Sequence, residues 1–382
     1  MIHTKTNRRD FFASAALGMG AIAGSSLFPS AELQATENAL AGTSRMKLSF
    51  KSFTLELKHA FGVSVNTRTT TPIVHTVIEY GKFKGYGEAS MPPYLGESQE
   101  TVMKFLSKVD VSKYENPFQL ETILAEIDAI EPGNTAAKAA VDIALHDLIG
   151  KMMGQPLYNM WGFDKSKTPY TSFTIGIDTP EVVRQKVKEV EDFGVLKVKL
   201  GRDNDKEMIE TIRSVTNKPL TADANQGWKD KQYALDMTHW LKEKGVMFIE
   251  QPMPKEMVDE HAWLTERSPI PVLADEAIKR LPDLVKYRGA YSGIVIKLMK
   301  TTGLREAHKM IAVARAFGMK VMIGCMTETS CAITAAAHLT PMVDWADLDG
   351  AMLSKNDNFR GMTVEKGKII LPNRPGTGVV PV

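Results

Sequence analysis

Asp223, Glu250 and Asp275 each close a short apolar run, in Pro219-Leu220-Thr221-Ala222-Asp223, Met247-Phe248-Ile249-Glu250 and Pro271-Val272-Leu273-Ala274-Asp275. Three carboxylates brought into one site repel each other unless a cation lies between them. An all-oxygen set with room left for water and a ligand suits one Mg²⁺, with Mn²⁺ as a substitute. It disfavours Zn²⁺, because neither His nor Cys belongs to it. Lys199 and Lys297 close the runs on either side of this trio. A lysine beside a divalent cation and a second lysine is destabilised as ammonium, so its pKa should fall until it can act as a general base near neutrality. Lys197 shares a strand face with Lys199, since side chains repeat every two residues, and could stabilise a developing oxyanion.

These residues need a scaffold that presents successive strand ends to one place. Eight short apolar runs alternate with charge-studded helical segments, at 173–176, 196–200, 219–223, 247–250, 271–275, 293–297, 321–325 and 342–347. From the second run on, the closing residues are Lys199, Asp223, Glu250, Asp275, Lys297, Cys325 and Asp347, spaced 22 to 28 positions apart. A strand, a crossover helix and two loops need about that much chain. Eight such units point to a (β/α)₈-type barrel, whose active sites lie at the C-terminal strand ends. An open doubly wound sheet is disfavoured because no Gly-rich phosphate loop follows any run. Upstream, residues 46–161 are mixed. Lys47–Leu57 alternates as a strand, Ile73–Tyr80 reads as another, and the polar Asn66–Pro72 between them reads as a loop. Asn134–Leu148 is alanine-rich with Asn134 as its N-cap, so strands followed by helices indicate a small α+β domain.

Bulk composition is that of a globular protein, with 43% hydrophobic and 24% charged residues and a net charge of +2. That balance argues against nucleic acid as a partner and favours a small molecule. Cys325 and Cys331 match no zinc spacing and read as small buried side chains. Residues 1–41 differ in kind. Asn7-Arg8-Arg9-Asp10-Phe11-Phe12 has the form of a twin-arginine export signal, followed by a Gly- and Ala-rich apolar run and a small-residue cleavage site at Ala39-Leu40-Ala41. The run is too short and glycine-rich to span a membrane well. A periplasmic location with no membrane attachment after export is expected.

Lys197-Val198-Lys199, Asp223-Ala224-Asn225-Gln226-Gly227-Trp228, Ile249-Glu250-Gln251-Pro252, Ala274-Asp275-Glu276 and Ile296-Lys297 resemble the muconate-lactonizing-enzyme subgroup of the enolase superfamily, with every motif in order. The resemblance implies an α+β capping domain (46–161) over a (β/α)₇β modified TIM barrel (165–350), with 351–382 returning to the cap. It implies Mg²⁺ on Asp223, Glu250 and Asp275. It also places Lys199 and Lys297 on opposite faces of a substrate α-carbon, the base-and-metal pairing general to enolase-type sites. Asp347-Leu348-Asp349 resembles the Asp-x-Asp of dipeptide epimerases, and two acids at i and i+2 form a clamp for an α-ammonium. Glu328, in Cys325-Met326-Thr327-Glu328-Thr329-Ser330, resembles the seventh-strand motif of the same enzymes, where backbone N–H groups could hold a dipeptide. Arg68, in the cap loop around Phe61 to Thr71, could pair with a glutamate side chain, as in alanyl-glutamate epimerases acting on murein peptides. The expected protein is a homo-oligomeric dipeptide epimerase. The alternatives are an o-succinylbenzoate synthase or N-acylamino-acid racemase, or a non-catalytic periplasmic binding protein on the same scaffold.

Overall fold

The structure is a computed structural model that describes residues 45–62 and 67–382. The Arg8-Arg9 segment and Ala39-Leu40-Ala41 lie outside the described residues, as do Val63 to Asn66 of the cap loop. Three antiparallel strands open the described chain, β1 (Lys47–Gly62), β2 (Thr67–Tyr80) and β3 (Phe83–Ser90), in the order β1-β2-β3. β2 therefore begins within the stretch expected to be loop, with Thr70 paired to Glu56 and Thr71 to Leu55. The polarity of that stretch was misleading, because its threonines are β-branched and fit a pleated strand that has a partner.

The helix Thr135–Met153 lies across this sheet, buried from Ala136 to Gly150. Alanines let it approach closely, and the strand meets it with glycines. A Cβ on Gly85 would stand 2.0 Å from the Ala144 carbonyl oxygen, and one on Gly87 2.0 Å from that of Ala140. Asn134 is not the cap that was expected, since it takes a left-handed φ of 51° and its side chain makes no capping bond. The Glu97 carboxylate does that work from a distant position, accepting from Ala136 N at 3.0 Å and Ala137 N at 3.3 Å. A negative group is favoured there by the unpaired N–H groups and the helix dipole.

All eight expected barrel strands form: β4 (Phe173–Ile175), β5 (Leu196–Lys199), β6 (Leu220–Asp223), β7 (Val246–Glu250), β8 (Val272–Ala274), β9 (Gly293–Ile296), β10 (Lys320–Gly324) and β11 (Trp345–Asp347). They pair in parallel in sequence order. A parallel bridge between Thr171 and Ala346, with Ser172 N donating to Ala346 O at 3.0 Å, brings the first strand against the last. A helix follows each of the first seven strands, and β11 is followed by a short 3₁₀ turn, Gly350–Leu353. This is the (β/α)₇β arrangement.

Alternation along the strands divides the barrel into an apolar floor and a charged rim. Phe248, Leu273, Val295 and Met322 form a cluster inside, capped by Trp345, whose ring centroid is 4.6 Å from that of Phe248. Two residues further along β7, β9 and β11 stand Glu250, Lys297 and Asp347, so a period of two carries each strand from floor to rim. The interleaved residues Val198, Ala222, Ile249, Ala274 and Ile296 join the core under the helices. After β11 the chain runs back along the cap. Ser354 bridges Leu57, Lys355 N donates to Glu56 O at 2.8 Å, and the Phe359 ring packs edge-on to His75 and Tyr86.

Candidate active site

The rim and the cap enclose a cleft lined by Lys197, Lys199, Asp275, Lys297, Asp347 and Asp349 from the barrel and by Arg68 and Tyr94 from the cap. β5 and β9, which carry Lys199 and Lys297, stand four strands apart in an eight-strand ring. The two lysines therefore face each other across the mouth, with the carboxylate strands between them on one side.

Every lysine in the site has a carboxylate partner. Lys197 Nζ donates to Glu250 Oε2 at 2.7 Å and Asp347 Oδ2 at 2.8 Å, with Asp223 Oδ2 at 3.2 Å. Lys199 Nζ meets Asp223 Oδ2 at 2.7 Å and Asn225 Oδ1 at 3.2 Å, and Lys297 Nζ meets Asp275 Oδ2 at 2.7 Å. Beneath them Lys300, fully buried, donates to the other Asp275 oxygen, to the Asp275 carbonyl at 2.6 Å and to that of Val295 at 2.9 Å. These contacts set the electrostatics. Burial works against charge on Lys197, but Asp347, Glu250 and Asp223 outweigh it and hold its pKa well above the ordinary value. Lys297 is held up in the same sense, its burial outweighed chiefly by Asp275. In both cases the ammonium faces carboxylates directly, whereas the depressed lysine pKa expected from sequence concerns a lysine beside a divalent cation.

The carboxylates are pushed apart from one another. Burial raises Asp223, yet Lys199 and Lys197 bring it down to about 2. Burial is likewise outweighed at Asp275, where Lys297 and Lys300 lower the pKa. Glu250 goes the other way, up to about 8, through burial and the charge of Asp223. Its Oε1 is buried without a hydrogen-bond partner. A buried carboxylate oxygen with no partner is costly, and a cation beside it would remove the cost. Asp223, Glu250 and Asp275 supply only hard oxygens from three adjacent positions around the ring, so the residues fit Mg²⁺. Among the described residues no three acidic, His or Cys side chains stand at metal-holding distance, and each of these carboxylates is paired with a lysine.

On β11 the two aspartates differ. Asp347 is tied to Lys197 and to Ser172 Oγ at 2.7 Å, whereas Asp349 is held by Thr174, whose N donates to Asp349 Oδ2 at 2.7 Å. Among the described residues no basic side chain stands within ion-pair distance of Asp349. Burial and the neighbouring charge of Asp347 lift its pKa to about 7. Arg68 is its counterpart on the cap. It donates to Thr327 Oγ1 at 2.7 Å, and among the described residues no carboxylate lies within ion-pair distance of it. Glu328 is not part of the cleft wall. It is buried behind it, where Oε1 accepts from Met326 N at 3.0 Å and burial raises its pKa to about 7. Thr327 and Met326 reach the cleft in its place.

Several residues at or beneath the cleft were not singled out from the sequence. Asn225 and Glu276 sit inside motifs already singled out, and Asn225 Nδ2 donates to Glu276 Oε1 at 3.3 Å. Lys300 follows Lys297 by three positions in an apolar run. Tyr94, whose hydroxyl reaches Met326 Sδ at 3.2 Å, lies on a cap turn with no chemical pattern of its own.

Comparison with known proteins agrees with this architecture. Residues 50–162 match the N-terminal domain of the mandelate racemase / muconate lactonizing enzyme family, and residues 181–382 match the enolase C-terminal domain-like family. An L-Ala-D/L-Glu epimerase of Bacteroides thetaiotaomicron is 58% identical, over 98% of this chain and 100% of its own. An L-Ala-D/L-amino acid epimerase of Pedosphaera parvula is 36% identical, over 86% of this chain and 97% of its own. Among solved structures, a substrate-liganded complex of the L-Ala-D/L-Glu epimerase from Bacillus subtilis superposes with a TM-score of 0.83 at 30% identity, covering 88% of this chain and 99% of that one. A dipeptide epimerase from Cytophaga hutchinsonii, in complex with Mg and D-Ala-L-Val, gives a TM-score of 0.82 at 27% identity, over 89% of this chain and 96% of that one.

Proposed function

The chain belongs to the mandelate racemase / muconate lactonizing enzyme family of the enolase superfamily, and from that premise we propose that it is a Mg²⁺-dependent dipeptide epimerase preferring an acidic C-terminal residue, such as L-Ala-D/L-Glu from murein. One observation carries the substrate reading. The cleft offers an aspartate, Asp349, and an arginine, Arg68, that have no ionic partner among the described residues. A zwitterionic dipeptide ending in glutamate brings the charges both need, an ammonium for Asp349 and a side-chain carboxylate for Arg68. The names of the relatives from Bacteroides thetaiotaomicron and Bacillus subtilis support the same substrate class.

Asp223, Glu250 and Asp275 would hold the cation, which supplies counter-charge to the substrate's C-terminal carboxylate as it becomes an enediolate. Lys199 takes the α-proton from one face and Lys297 returns one to the other, inverting the centre. For the opposite epimer the roles exchange. Lys197, fixed between Glu250 and Asp347, contributes positive charge next to the developing oxyanion. Asp347 and Asp349 grip the ammonium while Arg68 fixes the far end, so that the α-carbon is held between the two bases. The substrate of an N-acylamino-acid racemase has no α-ammonium to present to Asp349, and a binding protein has no use for two opposed lysines. Export through the Arg8-Arg9 segment would place the enzyme in the periplasm, where murein peptides arise, and N-terminal sequencing of the mature protein tests that. Sedimentation tests the proposed homo-oligomer.

The decisive experiment follows L-Ala-L-Glu and N-succinyl amino acids by NMR in D₂O with Mg²⁺. Deuterium entering the dipeptide α-position with inversion is the expected result. Exchange confined to the N-succinyl substrates would overturn the reading in favour of a racemase.

A further inference from the structure

The two bases are mounted on separate frames. Lys297 is braced from its own loop, where Lys300 N and Thr301 N donate to the Lys297 carbonyl at 2.9 and 3.2 Å. Lys199 stands at the end of β5, and the turn that follows it is held by residues that do not line the cleft. Directly after it the chain turns through Leu200 and Gly201, the glycine at a φ of 99°. The side chain of Asp205 holds that turn, its Oδ1 accepting from Gly201 N at 2.8 Å and Arg202 N at 3.0 Å. Its other oxygen accepts from the indole of Trp228 at 2.7 Å. Asp205 is 2% exposed and Trp228 4%, so a carboxylate that could have been solvated is buried to make these three bonds.

Trp228 belongs to the loop that follows Asp223. It is pinned in turn to the loop after Glu250, with Trp228 N donating to Pro252 O at 3.0 Å and Gln226 N to Gln251 O at 2.8 Å. The loops after β5 and β6 meet backbone to backbone, since a Cβ on Gly227 would fall 2.3 Å from Gly201 Cα. Such an approach leaves no side chain between the loops to set their separation. The Asp205–Trp228 bond is a buried side-chain contact that ties them, beyond the backbone bond from Leu200 N to Asp223 O at 2.8 Å. From this geometry we infer that Asp205 and Trp228 are positioning residues for the Lys199 face of the site, acting through the 200–204 turn, and leave the Lys297 face alone.

The inference rests on the two-base reading, and its test separates the two. Net epimerisation uses both lysines in each direction and its two rates are bound by one equilibrium constant, so turnover cannot distinguish the faces. Exchange with retention can, because each epimer loses its proton to one lysine only. The measurement is deuterium incorporation into L-Ala-L-Glu and L-Ala-D-Glu, each followed before inversion, with wild type, Trp228→Phe and Asp205→Asn, all loaded with Mg²⁺. Trp228→Phe keeps the ring and removes only the N–H. Loss of an outer partner of this kind costs on the order of 10- to 100-fold when it misplaces a reacting group. The expected result is a fall of about 10-fold or more in exchange from the epimer facing Lys199, with the other epimer within about 2-fold of wild type. Asp205→Asn should fall on the same side, since it turns an N–H toward the indole N–H. Lys199→Ala in parallel identifies which epimer that is. Equal losses from both epimers would overturn the positioning role and mark the pair as general scaffolding. Wild type that exchanges neither epimer would overturn the epimerase reading itself.

Discussion

At the scale of single residues, the site separates charges that hold each other from charges that wait for a ligand. Asp347 is already engaged with Lys197 and Ser172, whereas Asp349 is held only by the neutral Thr174 and, among the described residues, has no ionic partner. The cleaner probe of ammonium recognition is therefore Asp349→Asn, which leaves the lysine network in place. Removing one member of a desolvated charge pair costs about 2–5 kcal/mol. Asp349→Asn is expected to lower kcat/KM for L-Ala-L-Glu by about 30-fold or more, with Mg²⁺ affinity unchanged by titration calorimetry. Unaltered kinetics would sink the clamp. Arg68→Met should act on the other end of the substrate. It is expected to raise KM for L-Ala-L-Glu by about 10-fold or more while sparing dipeptides with a neutral C-terminal side chain, which never used the guanidinium. Equal losses on both kinds of dipeptide would mean that Arg68 serves the cap and not the substrate. Asp223, Glu250, Asp275 and the lysines were legible because ionisable groups closing apolar runs need an explanation. The distinction between Asp347 and Asp349 was not, because it depends on Ser172 and Thr174, which the fold brings from 175 positions away.

At the scale of elements, strand alternation explains both the floor and the rim, and it identifies where an extra atom matters. Gly324 closes β10 beside Lys297, and a Cβ there would lie 3.2 Å from both Lys297 Cε and Val295 Cγ1. Gly324→Ala should displace the Lys297 side chain without unfolding the barrel, lowering kcat by about 10-fold with KM little changed. A circular dichroism spectrum and a Tm close to wild type would show that the loss is local. The turn after the same strand carries a pH dependence. Glu328 has its pKa raised from 4.5 to about 7 by burial. The folded state thus binds this proton more tightly than the unfolded state, and stability falls as pH rises from about 4.5 to about 7, levelling beyond it. The shift corresponds to about 3 kcal/mol. Glu328→Gln keeps a carbonyl for Met326 N and has no charge to bury. It should match wild type near pH 4 and exceed it by up to about 3 kcal/mol at pH 8 in urea unfolding. The barrel strands were readable because each was short, apolar and evenly spaced. β2 and the cap of the helix Thr135–Met153 were harder, since one depends on pairing with β1 and the other on Glu97, far off in sequence.

At the scale of the whole molecule, the carboxylates of the barrel link cation binding to stability. Burial and the charge of Asp223 lift the Glu250 pKa to about 8, and its Oε1 has no hydrogen-bond partner, so a proton and a cation compete for this carboxylate. Cation binding should then release protons, and its affinity should weaken as pH falls below about 8. Anything that binds the folded chain alone stabilises it, by about 2.7 kcal/mol at a hundredfold excess over Kd. Mg²⁺ at that level should raise Tm by several degrees at pH 8, by less at pH 6, and EDTA should reverse the gain. Glu250→Gln separates this linkage from general salt effects. The variant cannot release the proton or supply the charge, so its Tm should respond to Mg²⁺ no more than to an equal ionic strength of NaCl. A full Mg²⁺ response in Glu250→Gln would remove Glu250 from the ligand set. The two flanking carboxylates, already drawn low by Lys199, Lys197, Lys297 and Lys300, would then have to hold the cation alone.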